Sequence, residues 1–346
     1  MDSIVKKFIG KGSISIVEAM QRIDLNARGI LILVDGESKL IGTLSDGDIR
    51  RFLLSGGKLE SACSEAANIH PRAASTIEEA EKLYHQRNYV AIPILDENKI
   101  VIDVYIGKKI EKYVNLNLPV VINAGGKGTR LDPFTRVLPK PLIPVGDLPI
   151  IEHIMNLFSN YGCTEFHVIV NYKKQLMKAY FAENENKFNI TWYDEEKPLG
   201  TGGGLSLLKG KLDRTFFFTS CDTLIQTAYD ALVKFHRDSH NLVTMVCAHK
   251  NLTIPYGVIE MGKQGKIDGF KEKPLMSFLT NTGLYLVEPD VLNSLEDGKA
   301  VGFPDVIEKL RHENKNIAVF PVSESNWMDM GQLSELEKMR ARLYGE

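Results

Sequence analysis

The apolar run Pro119-Val120-Val121-Ile122 stops at Asn123 and opens into Ala124-Gly125-Gly126-Lys127-Gly128-Thr129-Arg130. A short, unbroken apolar run of this kind suits a strand buried on both faces of a sheet. Pro133, Pro139 and Pro141 follow, so the loop cannot lead straight into a long helix. Glycines lack a Cβ and let main-chain N–H groups approach an anion. Arg130 adds a planar fork for phosphate oxygens, and Lys140 a compact point charge. The stretch predicts a strand followed by a phosphate-cradling loop, with a nucleoside triphosphate as its ligand; a purely structural turn is the bland alternative. It is not a Walker loop, because Gly128 is followed by Thr129-Arg130. No G-x-G-x-x-G dinucleotide fingerprint surrounds Gly126 and Gly128 either.

Beyond Pro119 the pattern alternates. Strands are expected at 120–123, 166–170, 190–193, 216–219 and 243–248, and helices at 150–161, 173–183 and 228–237. This order predicts a mainly parallel sheet with helices on both faces. Ligands of such sheets bind beyond the carboxyl ends of the strands, where the glycine loop sits. Residues 1–118 read instead as two similar halves. Each has a helix (around 14–20 and 77–86), a strand, a turn (Asp35-Gly36 and Asp96-Glu97-Asn98) and a second strand, and the halves close on Ser45–Arg51 and Lys108-Lys109-Ile110. The division expected is 1–118 and 119–346, joined by almost no linker.

The chain has 346 residues, enough for two domains, with 44% hydrophobic and 25% charged residues. A formal net charge of −2 gives no reason to expect nucleic acid or an anionic membrane as a partner. Met1-Asp2-Ser3 does not resemble a signal peptide, and no apolar run is long enough to span a bilayer. Cys63, Cys163, Cys221 and Cys247 form no C-x-x-C. A reduced, cytoplasmic protein is expected.

The order strand, turn, strand, S-D-G-D-I-R-R in a repeat of about sixty residues resembles a tandem pair of CBS domains. The pattern G-G-x-G-T-R-L…P-K-P resembles the signature of the sugar-1-phosphate nucleotidyltransferases, and further landmarks of that family follow in order. They are Glu195-Glu196-Lys197-Pro198-Leu199-Gly200-Thr201, Ser220-Cys221-Asp222, Pro255-Tyr256-Gly257, Phe270-Lys271-Glu272-Lys273-Pro274, Asn281-Thr282-Gly283-Leu284-Tyr285 and Trp327-Met328-Asp329-Met330-Gly331. The resemblance implies a Rossmann-like catalytic domain with a mixed, mainly parallel sheet, preceded by an α+β CBS module. It implies nucleotide contacts from Ala124, Gly125, Gly126, Gly128, Thr129, Gly200 and Thr201, with Thr201 also readable as a helix cap. Gly257, Glu272, Asn281 and Gly283 would meet the sugar. Arg130, Lys140, Asp222 and Lys273 would be catalytic, with Asp222 and Asp329 holding Mg²⁺; Asp222 is alternatively a helix N-cap.

The reaction so implied is in-line attack of a sugar 1-phosphate oxygen on the α-phosphorus, expelling pyrophosphate. A phosphate monoester is already largely dianionic near neutral pH, so no general base is needed. His153, His167 and His236 are accordingly expected to be structural. The P-L-G-T segment resembles guanylyltransferases, pointing to GTP, and the CBS arrangement resembles bacterial glucosamine-1-phosphate guanylyltransferases of the legionaminic acid pathway. Mannose- or heptose-1-phosphate guanylyltransferases and uridylyl-, thymidylyl- or cytidylyltransferases are the alternatives. A catalytically silent nucleotide-sugar sensor is the reading from a different class. In the CBS module the resemblance implies an adenine nucleotide at Ser45 and Asp48. The second repeat, Tyr105-Ile106-Gly107-Lys108, has lost both the hydroxyl and the aspartate. CBS pairing also implies a homo-oligomer.

Overall fold

Ile30-Leu31-Ile32-Leu33-Val34 contains no polar side chain, so both faces of this strand must be covered. The computed structural model, which describes residues 5–26, 28–87, 89–107, 113–183 and 187–344, shows how. The chain divides into two compact units. One comprises Met1–Lys112 with His249–Leu279 and Pro321–Ser325, and the other Tyr113–Ala248, Thr280–Phe320 and Asn326–Glu346.

In the first unit β1 (Ile9–Lys11), α1 (Ile16–Asn26), β2 (Ile30–Val34), β3 (Leu40–Ser45) and α2 (Asp46–Leu54) form one repeat. The other is α3 (Ile77–Arg87), β4 (Ala91–Leu95) and β5 (Val101–Ile106). Leu31 and Leu33 face α1, packing with Ile16, Ala19 and Ile23. Ile32 and Val34 face the other way and meet Ala91, Val101 and Val104 of the second repeat. The period of two along a strand thus puts one face on a helix and the other between the repeats.

The duplication extends to hydrogen bonds. Asp35 Oδ1 accepts the N–H groups of Glu37 and Lys39, and Asp96 Oδ1 those of Asn98 and Ile100. Ser38 and Lys99 both take left-handed backbone conformations, φ 65° and 63°. Lys108, where the second repeat departs from the first, lies outside the described residues, as do Lys109 and Ile110.

The chain continues through β6 (Val120–Asn123), α4 (Phe134–Val137), β7 (Pro144–Val145), β8 (Leu148–Pro149), α5 (Ile150–Asn160), β9 (Glu165–Val170), α6 (Lys174–Ala182) and β10 (Asn189–Asp194). Next come α7 (Gly200–Gly203), β11 (Phe216–Ser220), β12 (Thr223–Ile225), α8 (Tyr229–Asp238) and β13 (Val243–Thr253). The hairpin β14 (Val258–Met261) and β15 (Ile267–Lys271) leads into β16 (Leu275–Val287). Last are α9 (Asp290–Asn293), α10 (Phe303–His312), β17 (Ile317–Ser323), β18 (Trp327–Asp329) and α11 (Leu333–Tyr344).

The central sheet has the order β10-β9-β6-β11-β16-β13-β17. β10, β9, β6 and β11 are mutually parallel, and β16 joins antiparallel to β11. The expected mainly parallel α/β sheet is what forms. Phe216 and Phe218 pack on one face with Leu205, Tyr285 and Phe303. Phe217 lies on the other, against Phe158 of α5 and Tyr229 of α8. Burying each such ring stabilises by about 1.5–3 kcal/mol, so both faces of β11 hold the sheet's centre. No helix among the described residues is long and apolar enough to cross a membrane.

Candidate active site

Register decides which loops meet. β6 and β11 run parallel with Asn123 opposite Ser220, so the glycine loop and Cys221-Asp222 leave the sheet side by side at its carboxyl edge. Asp329 arrives from far along the sequence. β18 pairs antiparallel with β12, Asp329 opposite Thr223, and Met330 N–H donates to Asp222 C=O at 2.9 Å.

The loop is anchored at its base and open at its tip. Ala124 N–H donates to Ile169 C=O at 2.8 Å and Gly125 N–H to Asn123 Oδ1 at 3.3 Å. Gly126, Thr129 and Arg130 are exposed, and a Cβ added at Gly126 would meet nothing within 4 Å. Gly128 is left-handed, φ 64°, and a Cβ there would sit 3.0 Å from both Lys140 Cβ and Thr135 Cγ2. Its lack of a side chain therefore lets Lys140 close on the loop. Tyr172 Oη donates to Thr135 C=O at 3.1 Å and Lys173 Nζ to Val137 C=O at 2.8 Å, bracing the far side.

Lys140 is buried and its ammonium is ion-paired with Asp222. Burial, then the charge of Asp222, raises the Asp329 carboxyl above the usual carboxylate range, while Lys140, the backbone at Gly331 and Arg130 oppose that rise. A cavity of about 250 Å³ brings together Asn123, Arg130, Thr201, Asp222, Asn281, Gly283 and Asp329. Two adjacent carboxylates, one of them under-compensated, suit a hard divalent cation. No cluster of three or more His, Cys, Asp or Glu that could hold a metal exists among the described residues. The remaining ligands would be substrate and water oxygens, which is how Mg²⁺ is commonly bound. The Cys221 thiol is pushed up to about 12 by burial and Asp222, which disqualifies it as a nucleophile.

Other assigned residues carry structural work. Thr201 Oγ1 accepts the N–H of Phe303 at 2.9 Å, supplying the cap that Gly302 cannot give α10. Gly202 packs on the backbone of Phe303, where a Cβ would lie 2.9 Å from its Cα, and both Gly202 and Gly203 N–H donate to Val301 C=O. The glycine run after Leu199 thus answers to packing. The Gly200-Thr201 segment still meets the base of the glycine loop, since Asn123 Nδ2 donates to Thr201 C=O at 3.2 Å. Asn281 donates to Tyr285 Oη at 2.6 Å and accepts Gly283 N–H at 3.0 Å.

Gly257, Glu272 and Lys273 belong to the first unit, on and beside the β14–β15 ribbon, where Lys273 is left-handed with φ 43°. Ser45 and Asp48 form a capping box at the start of α2. Both carboxylate oxygens of Asp48 are engaged, Oδ2 by Ser45 and Oδ1 by Arg51 at 2.5 Å, so a ribose there must compete with Arg51. His153, His167 and His236 bond within the fold, to Val145 C=O, to Tyr193 and Glu165, and to Thr244 and Glu288.

Two residues of this neighbourhood were not singled out from the sequence. Asn123 ties the glycine loop to the Gly200-Thr201 segment. Glu195 is buried, and its side chain lies between the loops, with Oε2 2.8 Å from where a Cβ of Gly125 would be. Its Oε1 has no hydrogen-bond partner, and burial raises its carboxyl above the ordinary range, opposed by the Leu199 backbone N–H. The signal was that Glu195 directly follows the strand that ends at Asp194 and opens the landmark segment 195–201.

Comparison with known proteins agrees with this geometry. The nucleotidyl transferase family matches residues 119–344, and the CBS domain family residues 11–55. A mannose-1-phosphate guanyltransferase of Debaryomyces hansenii is 34% identical over 225 residues, covering 61% of this chain and 60% of that protein. Its Saccharomyces cerevisiae counterpart is 33% identical over 225 residues, covering 61% of each. The chain thus spans about three fifths of the length of the curated relatives it matches. The crystal structure of HddC from Yersinia pseudotuberculosis superposes with a TM-score of 0.53 at 20% identity, over 65% of this chain and 99% of that one. The same protein complexed with GMP-PN gives 0.51 at 19% identity, again over 65% and 99%. At that identity the likeness is one of fold.

Proposed function

This chain belongs to the nucleotidyl transferase family, and we propose that it transfers the guanylyl group of GTP to a hexose 1-phosphate, releasing pyrophosphate. The observation that carries the proposal is the charge constellation at the carboxyl edge of the sheet: Lys140 on Asp222, Asp329 beside them, and Arg130 on the same cavity. Such a set aligns and neutralises converging phosphates, which is what phosphoryl-type transfer requires. Arg130 holds the outer phosphates in a planar fork, Lys140 meets the α-phosphate, and Lys273 answers the sugar phosphate. Asp222 and Asp329 would hold Mg²⁺, which supplies further positive charge to the phosphates when bound. Glu272, Asn281, Gly257 and Gly283 would contact the sugar.

Guanine is favoured by the relatives' names and by Glu195. A carboxylate can accept from both the N1–H and the N2 amino group of guanine, whereas the pyrimidine bases of UTP and dTTP offer one donor flanked by acceptors. The sugar is glucosamine, as the CBS arrangement suggests, or mannose, as the relatives' names suggest. An adenine nucleotide at the CBS module and association of two copies through it complete the proposal; sedimentation with and without AMP tests both.

The deciding assay measures pyrophosphate release from GTP, UTP, dTTP and CTP against glucosamine, mannose and heptose 1-phosphates. Release with GTP is expected. Release only with UTP or dTTP overturns the base assignment, and no release with any pair leaves the silent sensor as the better reading.

A further inference from the structure

The ribbon that carries both site carboxylates is small. β12 and β18 pair over three residues and join no other strand among the described residues. An isolated two-stranded ribbon is marginal in water, so whatever holds it from outside sets where Asp222 and Asp329 stand. Leu224, Ile225 and Met328 are buried, but apolar contact is non-directional; hydrogen bonds fix the aim. At the site end Met330 N–H donates to Asp222 C=O, and at the far end Gln226 N–H donates to Asn326 C=O at 2.8 Å. Two tyrosines outside the ribbon also grip that far end. Tyr229 Oη donates to Ile225 C=O at 2.9 Å, and Tyr161 Oη to Thr227 C=O at 3.1 Å.

The two rings touch, with centroids 4.9 Å apart, and Tyr229 reaches Phe217 of β11 at 5.5 Å. Tyr229 is buried and belongs to the fixed core. Tyr161, half-buried at the end of α5, is held instead by the stretch at which the second unit begins. The Tyr113 ring lies edge-on to it with centroids 4.8 Å apart, and Leu116 N–H donates to Tyr161 C=O at 2.8 Å. Beside it Gly162 is left-handed, φ 69°, and a Cβ there would collide with the Asn115 side chain. Residues 113–116 thus close on the tyrosine that grips the ribbon.

We propose that Tyr161 is a positioning residue for Asp222 and Asp329: clamped by residues 113–116, its hydroxyl holds the far end of the ribbon and so sets the aim of both carboxylates. This rests on the nucleotidyl-transfer reading, in which the two carboxylates must be aligned with converging phosphates. The glycine loop is anchored separately, by Ala124 on Ile169 and by Asn123 on Thr201. A displaced ribbon should therefore lower kcat and spare the KM for GTP.

The test needs a readout other than turnover, and Trp327 supplies one. It stands on β18 opposite Ile225 and lines the cavity. In a Trp192→Phe background it is the only tryptophan. There Tyr161→Phe removes one hydroxyl and keeps the ring. Acrylamide quenching of Trp327 should rise about twofold as the ribbon end loosens, and kcat should fall at least about fivefold at unchanged KM for GTP. Tyr113→Ala, which opens the clamp and leaves every ribbon hydrogen bond named above in place, should move both readouts the same way. Tyr180→Phe, which removes a hydroxyl bond to Glu152 of α5, should move neither. Unchanged quenching in Tyr161→Phe, or a lowered Tm with kcat intact, overturns the proposal and leaves a purely structural tyrosine. Absence of pyrophosphate release in the parent chain defeats the reaction instead, and Trp327 quenching still decides whether Tyr161 holds the ribbon.

Discussion

Replacing Lys140 by methionine tests the arrangement at its centre. The substitution keeps the apolar stem and removes only the charge. Lys140 and Asp222 side chains are 11% and 15% exposed, so the remaining aspartate would sit largely out of water facing Asp329. Stripping one partner from a fully buried pair costs about 3–5 kcal/mol. Water at the cavity mouth screens part of this, and about 2–3 kcal/mol is expected here. For a domain of this size that lowers Tm by roughly 5–10 °C. Asp222→Asn in the same background removes the stranded charge, so the double variant should lie within about 1 kcal/mol of the parent. Trp192 and Trp327, the two tryptophans of the chain, both lie in the second unit, so their fluorescence in urea reports the right domain. Mg²⁺ should stabilise Lys140→Met more than the parent, because the ammonium no longer competes for Asp222. An unchanged midpoint, or an additive cycle, refutes the reasoning.

Further outcomes follow from the same geometry. Gly126→Ala should leave stability alone and raise the KM for GTP, since its Cβ meets only ligand space, whereas Gly128→Ala should cost about 1–2 kcal/mol and lower kcat by displacing Lys140; urea titration beside initial rates separates them. Thr201→Val should cost about 1 kcal/mol by uncapping α10; a large fall in kcat/KM at full stability would instead make its hydroxyl a nucleotide contact. Glu195→Gln should weaken GTP selectivity over UTP by about tenfold or more, read as the ratio of kcat/KM values. His249 is buried, its Nδ1 lacks a hydrogen-bond partner, and burial depresses its pKa against the opposing charge of Asp24. The stability it contributes is present above the ordinary histidine pKa of about 6.5 and is lost as pH falls from there through the depressed folded value. His249→Phe should flatten that part of the profile, followed by circular dichroism in urea from pH 7.5 to 5.

What could be read from the sequence was local. The strands at 120–123, 166–170, 190–193 and 216–219 appear within a residue of their expected ends, because apolar runs bounded by glycine or charge leave little choice. The long strand β16 was not expected. Its first half, Leu275-Met276-Ser277-Phe278-Leu279, and its second, Asn281–Val287, lie in different units, so no single periodicity runs through it. The pairing of Asp222 with Asp329 was legible only through a family pattern, since nothing in either residue's neighbourhood announces that β12 and β18 pair. Thr201 shows the opposite failure. Its hydroxyl caps a helix that begins a hundred residues later, and Gly302, which cannot cap, is the trace that the sequence does hold.

The charge arrangement explains why the resting site takes this form. Asp222 and Asp329 face Lys140 and Arg130, so the cavity is balanced without any ligand. A nucleoside triphosphate and a sugar phosphate together bring about six negative charges at neutral pH. A divalent ion offsets only two of them, and Lys140 is already opposed by Asp222. Turnover on the proposed reaction therefore requires positive charge beyond that constellation. A neutral resting site also keeps Lys140 ordered, held by Asp222, where the proposed reaction would bring the α-phosphate. Relieved of that carboxylate, the ammonium would turn to phosphate without crossing solvent, which is the preorganisation that electrostatic catalysis depends on.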